Sequence, residues 1–303
     1  MQKTKNLNEL LKALKVSLPN LIIKRKEKFQ SHTTMGVGGR IFAFIEVDDE
    51  CSLLTLLKLC QKYKVKYFIL GNGSNIIASD KVFYGVVIKI CLDSLLRKGN
   101  KIIAGSGVNL FMLNRFAIKE GLAGLEWSFG IPGSVGGGVK MNAGCFGHSM
   151  SEVIHCVYYT DGQKIYRKFN KNLDFNYRYS FFSNNNYVVL RVIFNLKECE
   201  KTQINANCMR YFEKKRLLQP YSMKSAGSIF KKPENNFAPV LIEKCNLKGY
   251  KIGDAQVSTK HCGFIVNLNK ARYNEIFKII LQIKKTVFEK FGIMLQEEVI
   301  ILN

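Results

Sequence analysis

Two clusters of glycine and small polar residues are the first features of the sequence that could do chemistry. One covers residues 130–138, and the other follows a predicted strand and reads Gly71-Asn72-Gly73-Ser74-Asn75. Small residues let consecutive backbone N–H groups point into one concavity, which suits the diphosphate of a nucleotide. Either cluster alone is also compatible with an ordinary turn. The two together favour a bound nucleotide cofactor.

The longer cluster does not match the common nucleotide-binding motifs. It reads Gly130-Ile131-Pro132-Gly133-Ser134-Val135-Gly136-Gly137-Gly138 and is followed by Met141-Asn142-Ala143-Gly144. It does not fit G-x-G-x-x-G placed early in a βαβ unit with an acidic residue about 20 positions on, and no G-K-[ST] closes it, so neither the Rossmann fingerprint nor the P-loop is present. A nucleotide held by these residues would therefore bind to a different fold.

Two further stretches carry single side chains suited to catalysis. Arg178, between Tyr177 and Tyr179, could bind a carboxylate through two parallel hydrogen bonds, although such an arginine is also common at solvated surfaces. Ser228 follows Gly227 and could donate a proton to a ligand, although an ordinary turn explains the same residues. No G-x-S-x-G motif surrounds it, so an acylating serine hydrolase is not indicated.

A pair of carboxylates precedes the apolar end of the chain. Alternation along a predicted strand over 293–302 places Glu298 on the face opposite Val299 and Ile301. A carboxylate beside apolar side chains lies at the mouth of a strand or in a site, which favours Glu298 over Glu297. The four histidines are not spaced as metal ligands, and we expect no metal site.

Composition restricts the class of protein. The 303 residues suggest two domains, and 47% hydrophobic and 12% aromatic residues exclude a disordered chain. The formal charge of +23 is compatible with nucleic acid, a membrane surface, phosphorylated ligands or a simple lysine bias. The lysines are scattered, which argues against a nucleic-acid-binding tail. Nine cysteines without a C-x-x-C pair, and the lack of a long apolar run or leader, predict a cytoplasmic protein that does not bind membranes.

The hydrophobic pattern predicts an α+β architecture. An amphipathic helix is expected over 5–18, and strands and helices alternate from residue 41. The region 121–147 is predicted as a glycine-rich loop packed against a ligand, and a domain boundary is expected near 196–200. Further strands are predicted at 152–160, 164–169, 187–196 and 263–267, and further helices at 201–218 and 272–291.

The motifs, in this order, resemble one protein family. The matching stretches are HTTMGVGG (32–39), ILGNGSNII (69–77), GLEWSFGIPGSVGGGVKMNAGCFG (124–147), YRYS (177–180), SAGSIFKKP (225–233), LKGYKIGDAQVSTKHCGFIVN (247–267) and LQEEV (295–299). Each stretch is weak evidence alone, but the ordered series is specific. The sequence resembles the UDP-N-acetylenolpyruvoylglucosamine reductase (MurB) family, in its shorter subclass without the tyrosine-bearing loop insertion.

The resemblance implies a fold and a domain organisation. The fold would be the FAD-binding fold of the vanillyl-alcohol-oxidase or PCMH type, with two subdomains, followed by a C-terminal α+β substrate-binding domain. The corresponding boundaries are an N-terminal helical segment at 1–30, an FAD-binding domain at 31–196 and a substrate-binding domain at 197–303. The two subdomains would cover about 31–95 and 96–196.

The resemblance also implies a reaction. UDP-N-acetylglucosamine enolpyruvate would be reduced to UDP-N-acetylmuramate for peptidoglycan precursor synthesis, with hydride passing from NADPH, by way of non-covalent FAD, to the enolpyruvyl β carbon. Ser228 would protonate the α carbon, while Arg178 and Glu298 would stabilise the enediolate. The implied FAD-binding residues are Gly71, Asn72, Gly73, Ser74, Asn75, Gly130, Ile131, Pro132, Gly133, Ser134, Gly136, Asn142, Ala143 and Gly144. The implied substrate-binding residues are Tyr177, Arg216, Lys231 and Gln256.

Two departures and two alternatives accompany this interpretation. Lys232 stands where the family has asparagine, and Gln296-Glu297 stands where it has an acidic residue and proline. The alternatives are an oxidase of a sugar or alcohol on the same scaffold, and a basic nucleic-acid-binding protein without catalysis. The resemblance favours a monomer that binds NADPH and a UDP-sugar but no nucleic acid. The positive charge agrees with these polyanionic substrates.

Overall fold

The structure is a computed structural model that describes residues 2–303. The α-helices of this range are α1 Gln2–Ser17, α2 Glu50–Lys62, α3 Leu110–Glu120, α4 Val135–Lys140, α5 Lys201–Leu218, α6 Ala238–Lys244 and α7 Tyr273–Phe291. Its strands are β1 Ile23–Lys24, β2 Ile41–Val47, β3 Tyr67–Leu70, β4 Ile76–Ala78, β5 Phe83–Ile90, β6 Leu95–Lys98, β7 Lys101–Gly105, β8 Leu122–Ala123, β9 Gly144–Cys145, β10 His148–Ser149, β11 Ile154–Thr160, β12 Ile165–Phe169, β13 Val188–Asn195, β14 Lys197–Glu198, β15 Lys224–Ser228, β16 Lys251–Ile252, β17 Ala255–Val257, β18 Phe264–Asn267 and β19 Ile300–Leu302.

The described chain divides into two compact units. The first unit contains the residues up to Arg25 together with Phe42–Asn72 and Tyr84–Glu213. The second unit contains Lys26–Ile41, Gly73–Phe83 and Lys214–Asn303. Two short stretches from the N-terminal third therefore pack with the C-terminal third. The predicted division at residues 30 and 196 does not follow these compact units, and it stays a prediction.

The first unit contains two sheets. A four-stranded sheet has the order β1-β2-β5-β3, in which β3 and β5 run parallel. Its core includes α1 and α2, where Leu7, Leu10 and Leu14 of α1 are fully buried. A five-stranded antiparallel sheet has the order β12-β11-β13-β7-β6, and it packs with α3 and α4. The side chains of Asp49 and Asn109 cap α2 and α3 by accepting from backbone N–H groups, which explains where these helices begin.

The second unit is built on a four-stranded antiparallel sheet of order β15-β18-β17-β16. Helix α7 buries the isoleucine stripe of its predicted apolar face against this sheet. A separate pair of parallel strands joins β19 to β4, with Ile300 opposite Ile76. This pair carries the residues after the predicted catalytic glutamate.

Two predictions about the chain are wrong in detail. The region 121–147 is not a loop throughout, because Ser134 caps the short helix α4 and its hydroxyl accepts from the Gly137 N–H. The final strand is regular only over Ile300–Leu302, because the preceding residues pair with 229–231 before the chain changes partner to β4. No helix in residues 2–303 has the length and apolar character that a membrane span requires.

Candidate active site

The first glycine cluster begins with a residue that leaves no room for a side chain. A Cβ atom on Gly71 would collide with the hydroxyl of Ser134, which belongs to the second cluster in the same unit. The ammonium group of Lys89 donates to the Gly71 carbonyl at 2.5 Å and to the Asn72 amide oxygen at 3.3 Å. Burial lowers the pKa of Lys89, and nearby Cys91 and Glu46 oppose that shift. A half-buried ammonium group therefore holds the start of this loop through two hydrogen bonds.

The second cluster is joined to the turn after β7 by backbone hydrogen bonds. Leu110 donates to the Gly133 carbonyl at 2.9 Å, and Val135 donates to the Val108 carbonyl at 2.8 Å. Gly136 donates to the carbonyl of Ser106 at 2.9 Å. The N–H groups of Val135 and Gly136 are therefore already used in hydrogen bonds within the protein. A diphosphate at this cluster would be held by other groups of the loop.

Ser106 gives an independent sign that this region is built around a ligand. Within residues 2–303 its hydroxyl is a buried side-chain group without a hydrogen-bond partner. Ser106 also packs closely against Gly136, since a Cβ atom added to Gly136 would lie only 2.9 Å from the Ser106 Cβ. An unsatisfied buried hydroxyl costs free energy, so such groups mark places that a partner completes. The close backbone approach at Gly71, the Lys89 cation and the Ser106 hydroxyl together fit the diphosphate part of a nucleotide.

Arg178 lies in a tight turn in which Asn176 and Tyr179 exchange backbone hydrogen bonds at 3.0 and 3.1 Å. Its backbone is left-handed, with φ of 54°. Its Nη2 donates to the Gly144 carbonyl at 3.1 Å, and its guanidinium carbon lies 5.2 Å from the centre of the Tyr177 ring. Non-glycine residues adopt this conformation rarely, and they do so often at functional sites.

Asn142 supports this turn. Its amide nitrogen donates to the Asn176 carbonyl at 3.0 Å, and its amide oxygen accepts from the Ser151 N–H at 3.1 Å. The side chain is buried and the backbone is left-handed, with φ of 41°. The resemblance implies that Asn142 binds FAD, and this stays a prediction. In the structure its side-chain amide joins the Arg178 turn to the segment after β10. The carbonyl of Gly144, which is also a predicted FAD-binding residue, accepts the hydrogen bond from Arg178.

In the second unit, Ser228 ends β15 just after an irregularity in the strand pairing. Ser225 is opposite Val266 and Ser228 is opposite Phe264, so three steps along β15 match two steps along β18. Gly227 has φ of 79°, a conformation that glycine adopts without the steric penalty of a side chain. An extra residue of this kind bends a strand and turns the next side chain away from its regular direction. The sequence between Ser225 and Ser228 therefore sets where the half-buried Ser228 hydroxyl points.

Glu298 lies on the segment that pairs with the residues after Ser228. Its N–H donates to the Ile229 carbonyl at 2.8 Å, and the backbones of Phe230 and Glu297 form an antiparallel β-bridge. The side chain of Glu297 forms an ion pair with Lys284 of α7 at 2.7 Å. The Glu297 side chain is therefore used in an ion pair with α7, and the preference for Glu298 over Glu297 stays a prediction. Ser228 and Glu298, which are 70 positions apart in sequence, lie on paired segments of one unit.

The predicted substrate-binding residues are more scattered. Gln256 lies on β17, and its amide donates to the Gly249 carbonyl at 3.1 Å. Arg216 is an exposed residue in the last turn of α5, and its carbonyl accepts from the Lys260 ammonium at 2.6 Å. The N–H of Lys231 donates to the Gln296 carbonyl, so its backbone belongs to the segment paired with Glu298. Tyr177 is 55% exposed.

Comparisons with known proteins agree with this architecture. A model of the FAD binding domain matches residues 42–161, and a model of the UDP-N-acetylenolpyruvoylglucosamine reductase C-terminal domain matches residues 219–302. The UDP-N-acetylenolpyruvoylglucosamine reductase of Clostridium novyi is 39% identical over 297 residues, which cover 97% of each chain. That of Geobacillus thermodenitrificans is 37% identical over 93% of each chain. The chain belongs to the UDP-N-acetylenolpyruvoylglucosamine reductase family.

A solved structure extends the agreement to three dimensions. The reductase MurB from Thermus caldophilus superposes with a TM-score of 0.82 at 31% identity, and the match covers 93% of this chain and all of that one. The family resemblance and the predicted fold class, a PCMH-type FAD-binding fold with a C-terminal α+β domain, are therefore confirmed. Members of this reductase family are oxidoreductases, so the chain is assigned to that class of enzyme.

Two features near the candidate site, Lys89 and Ser106, are absent from the sequence-based prediction. Lys89 is one of 46 basic residues, and nothing in its neighbourhood singles it out. Ser106 lies between Gly105 and Gly107 in the segment that joins β7 to α3, and no motif in the sequence singles it out. Lys232, which departs from the family pattern, lies with its ammonium 4.6 Å from the centre of the Phe237 ring.

Proposed function

We propose that this protein uses FAD and NADPH to reduce UDP-N-acetylglucosamine enolpyruvate to UDP-N-acetylmuramate. Membership of the reductase family supports the substrate class. The observation that carries the catalytic assignment is the pairing of the Ser228 and Glu298 segments, through the 2.8 Å hydrogen bond from Glu298 to Ile229. This pairing gives a proton donor and a carboxyl group to one edge of the second unit.

The proposed cofactor site consists of the two glycine clusters. Gly71 and Ser134 approach closely, Lys89 supplies a positive charge, and Ser106 offers an unsatisfied hydroxyl. FAD, when bound, supplies the hydride for the enolpyruvyl β carbon. The chain's own residues bind and orient the nucleotide and stabilise the charge that develops on the substrate.

Arg178 is assigned to the substrate carboxylate. Hydride addition at the β carbon moves negative charge onto the α carbon and the carboxylate, which together become an enediolate. A guanidinium group has five N–H donors in a planar array, and the bond to Gly144 orients it before the substrate arrives. Donors fixed in advance stabilise developing charge without reorganisation during the reaction.

Ser228 and Glu298 are assigned to the protonation step. The Ser228 hydroxyl transfers its proton to the α carbon and is left as an alkoxide, which must regain a proton from solvent. A serine hydroxyl is a weak acid in water, but a carbanion-like carbon in a site that excludes water is a strong acceptor. The carboxyl group of Glu298, on the segment paired with the residues after Ser228, shares a proton with the enediolate oxygen.

Substitution of Gly71 by alanine is expected to weaken FAD binding by at least about tenfold, because the new methyl group collides with Ser134 and closes the loop. The measurement is a titration of the apoprotein with FAD, followed by quenching of flavin fluorescence. The control is the same substitution combined with Ser134→Ala, which removes the hydroxyl and should lessen the effect of Gly71→Ala. Unchanged FAD affinity in Gly71→Ala would contradict the proposed cradle.

Glu298→Gln is expected to slow product formation by about 10²-fold, at the lower end of the range for general acid catalysis. Reduction of the flavin by NADPH should proceed normally, since Glu298 is assigned only to the second half of the reaction. Stopped-flow absorbance resolves the two halves. The matched control is Glu297→Gln, which breaks the partly exposed ion pair with Lys284 and should change the free energy of unfolding by no more than about 1 kcal/mol. Equal effects of the two variants on product formation would remove the distinction between the neighbouring glutamates.

The proposed reaction is tested by the dependence of NADPH oxidation on the second substrate. The flavin-loaded protein should oxidise NADPH continuously only when the enolpyruvyl sugar nucleotide is present, in equal molar amounts. Oxygen consumption with an alcohol or sugar, and no turnover of the enolpyruvyl substrate, would identify an oxidase on the same scaffold. A colourless protein with salt-sensitive affinity for DNA would instead support the nucleic-acid-binding alternative.

A further inference from the structure

The side chain of Asn75 is hydrogen-bonded to the backbone of Glu298, a contact that the glycine-cluster motif does not predict. Its amide nitrogen donates to the backbone carbonyl of Glu298 at 3.1 Å, and its own carbonyl accepts from the Ile300 N–H at 2.9 Å. Both residues belong to the second unit. The resemblance implies that Asn75 binds FAD, but its amide donates to the segment that carries the Glu298 carboxyl group.

Glu298 is thereby held on both sides of its α carbon. Its N–H donates to Ile229, next to Ser228, and its carbonyl receives the Asn75 amide. The following residues continue into the parallel pairing of β19 with β4, which begins one residue after Asn75. Because Ile300 is hydrogen-bonded to the Asn75 backbone, Asn75 binds both Glu298 and Ile300. The peptide groups flanking Glu298 have little freedom left.

We propose that Asn75 is a positioning residue for Glu298, so that the end of the first glycine cluster sets the place of the carboxyl group that assists protonation of the substrate. This inference rests on the role given to Glu298 under the proposed function. Small displacements of a catalytic group lower the rate steeply, so a hydrogen bond that fixes the Glu298 backbone matters for the protonation half of the reaction. On this proposal the Asn75 amide serves Glu298, and FAD binding is left to the other residues of the first cluster.

The variants that test the inference are Asn75→Ala, which removes the amide, and Asn75→Asp, which keeps its shape but replaces the donor with a carboxylate oxygen. Both keep the backbone carbonyl that binds Ile300. In each, we expect reduction of the bound flavin by NADPH and the affinity for FAD to stay unchanged. Reoxidation of the flavin by the enolpyruvyl substrate should slow by about tenfold or more. Faster deuterium exchange in the peptide covering 296–300, measured by mass spectrometry, should accompany the change without any substrate present.

Combination with Glu298→Gln distinguishes a positioning role of Asn75 from a role in FAD binding. If Asn75 acts through the Glu298 carboxyl group, its substitution should add little further loss in the Glu298→Gln background. Fully additive losses, or a fall in FAD affinity that accounts for the slower reaction, would overturn the positioning role and return Asn75 to the cofactor site. An Asn75 variant that behaves as wild type beside an impaired Glu298→Gln would overturn this inference alone. A Glu298→Gln variant with a normal reoxidation rate would overturn the proposed role of Glu298 and, with it, the positioning role of Asn75.

Discussion

Replacement of Ser228 by alanine is expected to stop product formation while leaving the reduction of bound flavin by NADPH intact. The substitution removes the hydroxyl that would protonate the substrate α carbon, and loss of a positioned proton donor costs about 10²–10⁴-fold in rate. The backbone hydrogen bonds around this position involve Ile229 and Gly263 and do not depend on the hydroxyl. Stopped-flow measurement of the two half-reactions should therefore show a normal first phase and a nearly absent second phase.

The control for this variant lies in the same strand. Ser225 is also half-buried in β15, and its carbonyl accepts from the Thr34 hydroxyl at 2.6 Å. That carbonyl survives in Ser225→Ala, so this variant should retain both phases. Near-normal turnover by Ser228→Ala would show that another group or a water molecule donates the proton.

Replacement of Arg178 by alanine is expected to lower kcat by about 10²–10³-fold, the loss found when one fixed donor to a developing oxyanion is removed, or about 2.7–4 kcal/mol. The effect should fall on kcat as well as kcat/KM, because the interaction strengthens as charge develops on the enolpyruvyl carboxylate. Steady-state kinetics at saturating NADPH, with the enolpyruvyl substrate varied, gives both quantities. Flavin content should not change.

The left-handed backbone of Arg178 requires a second variant. Asparagine tolerates a φ of 54° better than most residues do, so Arg178→Asn keeps the turn while removing the cation. It should be as impaired as Arg178→Ala. Lysine keeps the charge but lacks the planar array of donors, so Arg178→Lys should recover only part of the rate. A rise in KM with unchanged kcat in all three variants would assign Arg178 to ground-state binding.

Local rules predicted much of the scaffold. Gly121 and Gly292 follow apolar helical stripes, where glycine commonly ends a helix, and they end α3 and α7 in the left-handed conformation. The helix predicted over 201–218 has the predicted bounds. These elements depend on residues near one another in the chain, which is why periodicity and capping identify them.

The arrangement of the candidate site depends on pairings that no local rule contains. The parallel pairing of β19 with β4 joins residues more than 200 positions apart, and it determines that Asn75 meets Glu298. The same holds for Lys89, whose use as a donor to Gly71 follows from the parallel pairing of β3 and β5. The motifs identified Ser228 and Glu298 separately, whereas their pairing required the fold.

The absorption spectrum of the purified protein during anaerobic titration reports on flavin binding and on both half-reactions. We expect a yellow protein, or an apoprotein that becomes yellow when FAD is added, whose visible flavin absorption is bleached by NADPH. Addition of UDP-N-acetylglucosamine enolpyruvate should then restore the absorption as the product forms. A folded protein that binds no flavin, or a bleached flavin that the enolpyruvyl substrate does not reoxidise, would contradict the proposed function.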